Sequence, residues 1–118
     1  MFLQIDSLNA ALQLAATHWD ERVFLKMDGR NVTFGQFDYD VRRLALGLRE
    51  KIHISSGDRV AVLMRNSIAC VQTWLATNYL GAIWVPINTG FRHRGLAHAL
   101  SITEPAVVIC DDELLPAL

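Results

Sequence analysis

The sequence predicts an α/β fold: a parallel sheet in a three-layer arrangement, preceded by a helix and a β-hairpin. Three observations predict it. The runs "RVAVLM" (59–64), "AIWVP" (82–86) and "AVVIC" (106–110) are short, apolar and rich in β-favouring residues, as in strands covered on both faces. Stretches of helical periodicity separate these runs, and helices alternating with buried strands imply right-handed crossovers. With 52% hydrophobic and 19% charged residues among 118, the chain can bury a core of its own, which excludes disorder.

Each element has its own signal. Ser7 caps a first helix over 7–19, where Leu8, Ala11, Leu12, Ala15, Ala16 and Trp19 form one apolar stripe. A hairpin follows over 23–34. Its strands, 23–27 and 31–34, flank Asp28-Gly29, a pair that tolerates positive φ. Phe37, Val41, Leu44, Ala45, Leu48 and Ile52 recur at helical spacing, leaving Asp38, Arg42, Arg49 and Glu50 for solvent. "SSGD" (55–58) turns the chain into the first buried strand. Asn66 or Ser67 caps the next helix, which carries Ile68, Val71, Leu75 and Tyr79 and stops at Gly81. The second buried strand ends at Pro86, which has no N–H to donate, so pairing stops there or the strand lies at an edge. A helix over 92–103 leads to the third buried strand, and "DDELLPAL" (111–118) begins a further element. Helix–strand repeats thus fill 35–110, and 1–118 reads as one domain without internal repeat or linker.

Charge and cysteine content narrow the function classes. Eleven Lys and Arg against twelve Asp and Glu leave a net charge of −1, which gives no pull toward nucleic acid or an anionic surface. Cys70 and Cys110 sit in apolar stretches without Cys-x-x-Cys spacing and read as buried free thiols. Met1–Asp6 lacks the basic start of a signal peptide, and no window reaches the ~18 apolar residues of a membrane span. A cytoplasmic protein is expected.

No phosphate-binding Gly-x-x-x-x-Gly-Lys-Ser/Thr loop, dinucleotide fingerprint or Gly-x-Ser-x-Gly elbow is present. His93 and His98 lie ~140° apart on a helix, the wrong geometry for a shared metal. His18, His53, Lys26 and Lys51 read as surface residues. Asp111 and Asp112 close the third strand. They read as N-capping for the segment starting at Glu113, the alternative being a metal or ribose contact. One loop stands out. "INTGF" (87–91) follows a strand's carboxyl end with no apolar anchor in Asn88-Thr89-Gly90, and such ends bind ligands in open α/β sheets. Arg92, His93 and Arg94 follow in the first turn of a helix. Cations there oppose the helix dipole, at ~0.3–1 kcal/mol each. The free amides and two guanidiniums suit a phosphate.

Three segments carry a family resemblance: "VTFGQFDYDVRRLALGLRE", "SGDRVAVLMRNSIACVQTWLATNYLGAIWVPIN" and "AVVICDDEL". Together they resemble the start of the adenylate-forming acyl-CoA synthetases, a superfamily that includes luciferases and peptide-synthetase adenylation domains. The helix opening from Thr33 to Phe37, Gly57-Asp58-Arg59-Val60, and the stretch Leu80 to Asn88 match the family's patterns, and the likeness runs from about residue 20 to 114. It implies the N-terminal subdomain of the synthetase fold in an enzyme using ATP, Mg2+ and coenzyme A to turn a carboxylic or fatty acid into its acyl-CoA, releasing AMP and pyrophosphate. It also implies that the phosphate loop, ribose-binding Asp and catalytic Lys lie downstream of Leu118, so the isolated chain is expected to be inactive. By the same resemblance Asn88, Thr89 and Gly90, with Arg92 and Arg94 beside them, lie near the nucleotide end of coenzyme A. Many relatives carry acidic residues where this chain has Arg-His-Arg.

The expected partners are the rest of the parent synthetase, a small-molecule acid and coenzyme A. Alone, the chain is expected to self-associate through exposed apolar surface and an open strand edge. Two other readings stay open: a stand-alone non-catalytic interaction module, and the start of an amino-acid adenylation domain that loads a carrier protein.

Overall fold

The computed structural model describes residues 7–118. The signal-peptide reading of Met1–Asp6 falls outside these described residues. Helix α1 (Leu8–His18) is capped by Ser7, whose hydroxyl accepts from Ala10 N at 3.1 Å. Strands β1 (Val23–Met27) and β2 (Arg30–Thr33) pair antiparallel across Asp28 (φ 55°) and Gly29 (φ 69°), both left-handed as the turn requires. The second strand ends one residue earlier than expected. Thr33 accepts from Gln36 N at 3.1 Å, so Phe34 opens α2 (Phe34–Ile52) and does not close the hairpin.

Then follow β3 (Arg59–Leu63), α3 (Ile68–Tyr79), β4 (Ile83–Pro86), α4 (His93–Thr103), β5 (Val107–Cys110) and a 3-10 helix (Asp112–Ala117). The three later strands form a parallel sheet in the order β4-β3-β5. Alternate side chains of β3 supply two cores. Val60 and Val62 pack with Phe37, Val41, Ile68 and Leu75 from α2 and α3, while Ala61 and Leu63 pack with Leu96 of α4 and Leu114. This is the three-layer arrangement read from the sequence. Burying Phe37 completely is worth roughly 1.5–3 kcal/mol.

The outer strands differ from the reading. β4 and β5 are half-buried where two-sided burial was expected, and Ile83 is 48% exposed, because each pairs with β3 alone among the described residues. Pro86 on an edge fits its missing N–H. Asp38 is buried and not solvated, held by Arg42 at 2.9 Å across one helical turn. Ile52 and Tyr79, assigned to apolar stripes, are exposed. Both close their helices, where the chain turns away through left-handed His53 and Gly81. At Gly81 (φ 71°) a Cβ would also come within 2.8 Å of Ser56 Oγ.

Candidate functional site

The order of strands creates the site. From β3 the chain passes to its neighbour β4 through α3 on one face, then returns past β3 to β5 through α4 on the other. Reversing direction with one crossover hand puts the two helices on opposite faces. The loops leaving the carboxyl ends of β3 and β4 therefore diverge, and a crevice opens between them, where open α/β sheets bind ligands. A cavity of about 470 Å3 occupies it. Val62 and Ile87 contribute buried wall, Met64, Trp84 and Cys70 half-buried wall, and Asn66, Asn88 and Thr89 polar groups. Among the described residues, no charged side chain lines it.

The β3 side is tied to distant parts of the chain. Arg65 N donates to Asp111 Oδ2 at 2.8 Å, and Arg65 Nε to Glu113 Oε1 at 2.9 Å. Asp111 thus does not cap the segment after it, as was expected; its carboxylate is spent on the β3 loop, and the 3-10 helix has no side-chain cap. The amino end of α3 is held twice. Ser67 Oγ accepts from Cys70 N at 3.0 Å, and Asp28 Oδ2, from the hairpin turn, accepts from Ile68 N at 3.2 Å. Burial pushes the Cys70 thiol above its ordinary range, and the negative charge of Asp111 adds to it. Cys110 packs toward α4 in the other core, and both thiols are free.

The β4 side carries the residues singled out from sequence. Ile87 is buried and its N–H donates to Val62 O at 2.9 Å, an apolar anchor immediately before the loop. Asn88 Oδ1 accepts from Gly90 N at 2.8 Å, and Asn88 O from Phe91 N at 3.0 Å. Arg92 turns back on this loop, donating from Nη1 to Thr89 O at 2.6 Å and Phe91 O at 2.7 Å. The amino end of α4 has neither a side-chain cap nor an acidic residue in its first turn. Arg94 is exposed and has no ion-pair partner among the described residues. The structure therefore brings Asn88 and Thr89 to the crevice and leaves Gly90, Arg92 and Arg94 outside its lining. Asn66, Cys70 and Trp84 were not singled out for the site. Their signal was positional, since they flank the carboxyl ends of the same two strands. The four histidines and both lysines are exposed, as read.

A sequence profile of the AMP-binding enzyme family matches residues 12–118. The chain belongs to the AMP-binding enzyme family. Among relatives of this family, the medium/long-chain-fatty-acid–CoA ligase FadD6 of Mycobacterium tuberculosis is 31% identical over 112 residues, covering 95% of this chain and 19% of the ligase. The N-(5-amino-5-carboxypentanoyl)-L-cysteinyl-D-valine synthase of Amycolatopsis lactamdurans is 24% identical over 106 residues, 90% of this chain and 3% of that protein. Among solved structures, the N-terminal subdomain of Klebsiella oxytoca NpsA in complex with anthranilyl-AMSN superposes with a TM-score of 0.85 at 26% identity, over 92% of this chain and 28% of that one. The fold is thus that of the N-terminal subdomain of adenylate-forming enzymes. This AMP-binding family member spans less than a fifth of the length of these curated relatives. No helix among its described residues is long and apolar enough to cross a membrane.

Proposed function

We propose that this chain forms the N-terminal region of a cytoplasmic, ATP-dependent acyl-CoA synthetase. The acid's carboxylate attacks the α-phosphorus of ATP and expels pyrophosphate; the thiol of coenzyme A then attacks the acyl carbon and AMP departs. The observation that carries the reading is the match to a fatty-acyl ligase along almost the whole chain, which the switch-point crevice supports by its place in the sheet. These 118 residues carry none of the motifs that the resemblance assigns to adenylation, so in this reading the role here is architectural and ligand-positioning.

Magnesium, where the enzyme uses it, neutralises charge on the phosphates of ATP. No group of three or more His, Cys, Asp or Glu able to hold a metal occurs among the described residues. The loop from Asn88 to Arg94 faces the phosphate end of coenzyme A in this reading. The free guanidinium of Arg94 makes the contact, and Arg92, bound to Thr89 and Phe91, holds the loop.

The similarity to a peptide synthase favours a second reading, an amino-acid adenylation domain whose acceptor is a carrier-protein thiol. One experiment separates them. The 118-residue chain alone is expected to give no ATP–pyrophosphate exchange, whereas a longer polypeptide containing it exchanges with a fatty acid and releases acyl-CoA. In that polypeptide Arg94→Ala should raise the KM for coenzyme A several-fold and leave exchange unchanged. Exchange by the short chain, or acyl transfer only to a carrier protein, would overturn the proposal.

A further inference from the structure

The amino end of α3 forms part of the crevice wall, since Asn66 precedes the helix and Cys70 lies in its first turn. That turn contains no acidic residue, although the unpaired amides of a helix's start favour negative charge. The charge comes from the hairpin. Asp28 Oδ2 accepts from Ile68 N at 3.2 Å, across 40 residues of chain.

The hairpin turn itself does not need this carboxylate. With Asp28 and Gly29 both left-handed, the turn is served as well by Asn or Gly in the first place as by Asp. Lys26 and Arg30 stand near Asp28 in the hairpin, yet no ion pair among the described residues involves it. Its carboxylate is committed to the helix. The hairpin is in turn seated on the core that α3 helps to form. Val32 is buried there, and Leu25 and Met27 pack against the cluster that includes Ile68 and Leu75. A shift of the hairpin on this seat therefore reaches Ile68 N through one bond, and with it the turn that carries Cys70.

We propose that Asp28 is a positioning residue for the crevice, coupling the seating of the hairpin to the placement of Asn66 and Cys70. The coupling rests on the geometry of the wall and not on which ligand enters the crevice.

Cys70 reports on its own wall. With Cys110→Ala in every variant, the rate at which iodoacetamide alkylates the folded chain reads the exposure of Cys70 alone. Asp28→Gly keeps the left-handed turn and removes the carboxylate. It is expected to raise the rate roughly threefold, the scale of one carboxylate at a helix amino end. Asp28→Asn returns an acceptor oxygen and is expected to restore most of the original rate. Val32→Ala loosens the hairpin's seat. Alone it is expected to raise the rate about twofold, and in the Asp28→Gly chain to add nothing, the mark of a coupled pair. Should Val32→Ala not fold, Leu25→Ala loosens the same seat more mildly. Additive effects, which a merely stabilising residue would give, overturn the proposal. So does an unchanged rate in Asp28→Gly, or a rate that climbs through low urea in step with global unfolding.

Discussion

The two loops that border the crevice are built on opposite plans. The loop after β3 is secured from far along the chain: Asp111 lies 46 residues from Arg65, and Asp28 lies 40 from Ile68. The loop after β4 holds itself, since beyond the Ile87 anchor its hydrogen bonds reach no more than three residues. Its helix begins uncapped, with His93 at φ 52°. One wall of the crevice is therefore part of the folded framework, and the other is a local structure resting on its edge. A site made this way can keep its reference wall fixed while its polar wall adjusts to a ligand.

Asp111→Ala tests that asymmetry with the largest expected effect. It removes the carboxylate acceptor of the solvent-accessible Arg65 N–H while the backbone bond from Asp111 N to Leu63 O remains, costing about 1.5 kcal/mol. A urea midpoint shift near zero would show that the β3 wall does not depend on this tie. Next in size is a matched pair. Ser67→Ala removes the cap on Cys70 N and is expected to cost about 1 kcal/mol. Asn88→Ala removes an exposed contact spanning two residues and is expected to cost no more than about 0.5 kcal/mol. Equal losses in the pair would erase the distinction between the loops.

The same asymmetry sets what could be read in sequence. Local signals were dependable. Ser7, Ser67, Asp28-Gly29 and Gly81 end or join elements as their chemistry predicts, and the run 60–63 is buried on both faces. What depended on distant partners was not visible. "AIWVP" and "AVVIC" look as buried as "RVAVLM", because an apolar run does not record how many neighbours its strand has. Asp38 looked solvated because its burial comes from packing, with Arg42 neutralising it one turn away. Asp111 looked like a cap because its true acceptor role spans 46 residues. Of the crevice lining, Asn88 and Thr89 were legible because the β4 loop is local, whereas Gly90, Arg92 and Arg94, read with them, lie outside it. Asn66, Cys70 and Trp84 were hidden until the sheet order placed the two strand ends side by side.

The smallest effect concerns the thiol on the fixed wall. Cys70 lines the crevice, and its pKa is raised above the ordinary thiol value through burial first and the charge of Asp111 second. Well below that value the thiol stays protonated whether the chain is folded or not, so the group adds no pH dependence there. Above that value the unfolded thiol ionises first while the folded one keeps its proton, and stability declines with rising pH until the folded pKa is passed. Stability measured from pH 8 to 10.5 should therefore fall less steeply in Cys70→Ala than in the parent chain, the other titrating groups being common to both. Asp111→Ala, by removing the second cause, should leave a slope between the two. An unchanged slope in Cys70→Ala would mean that the β3 wall opens enough at alkaline pH for the thiolate to reach water, and that this wall is no more fixed than the other.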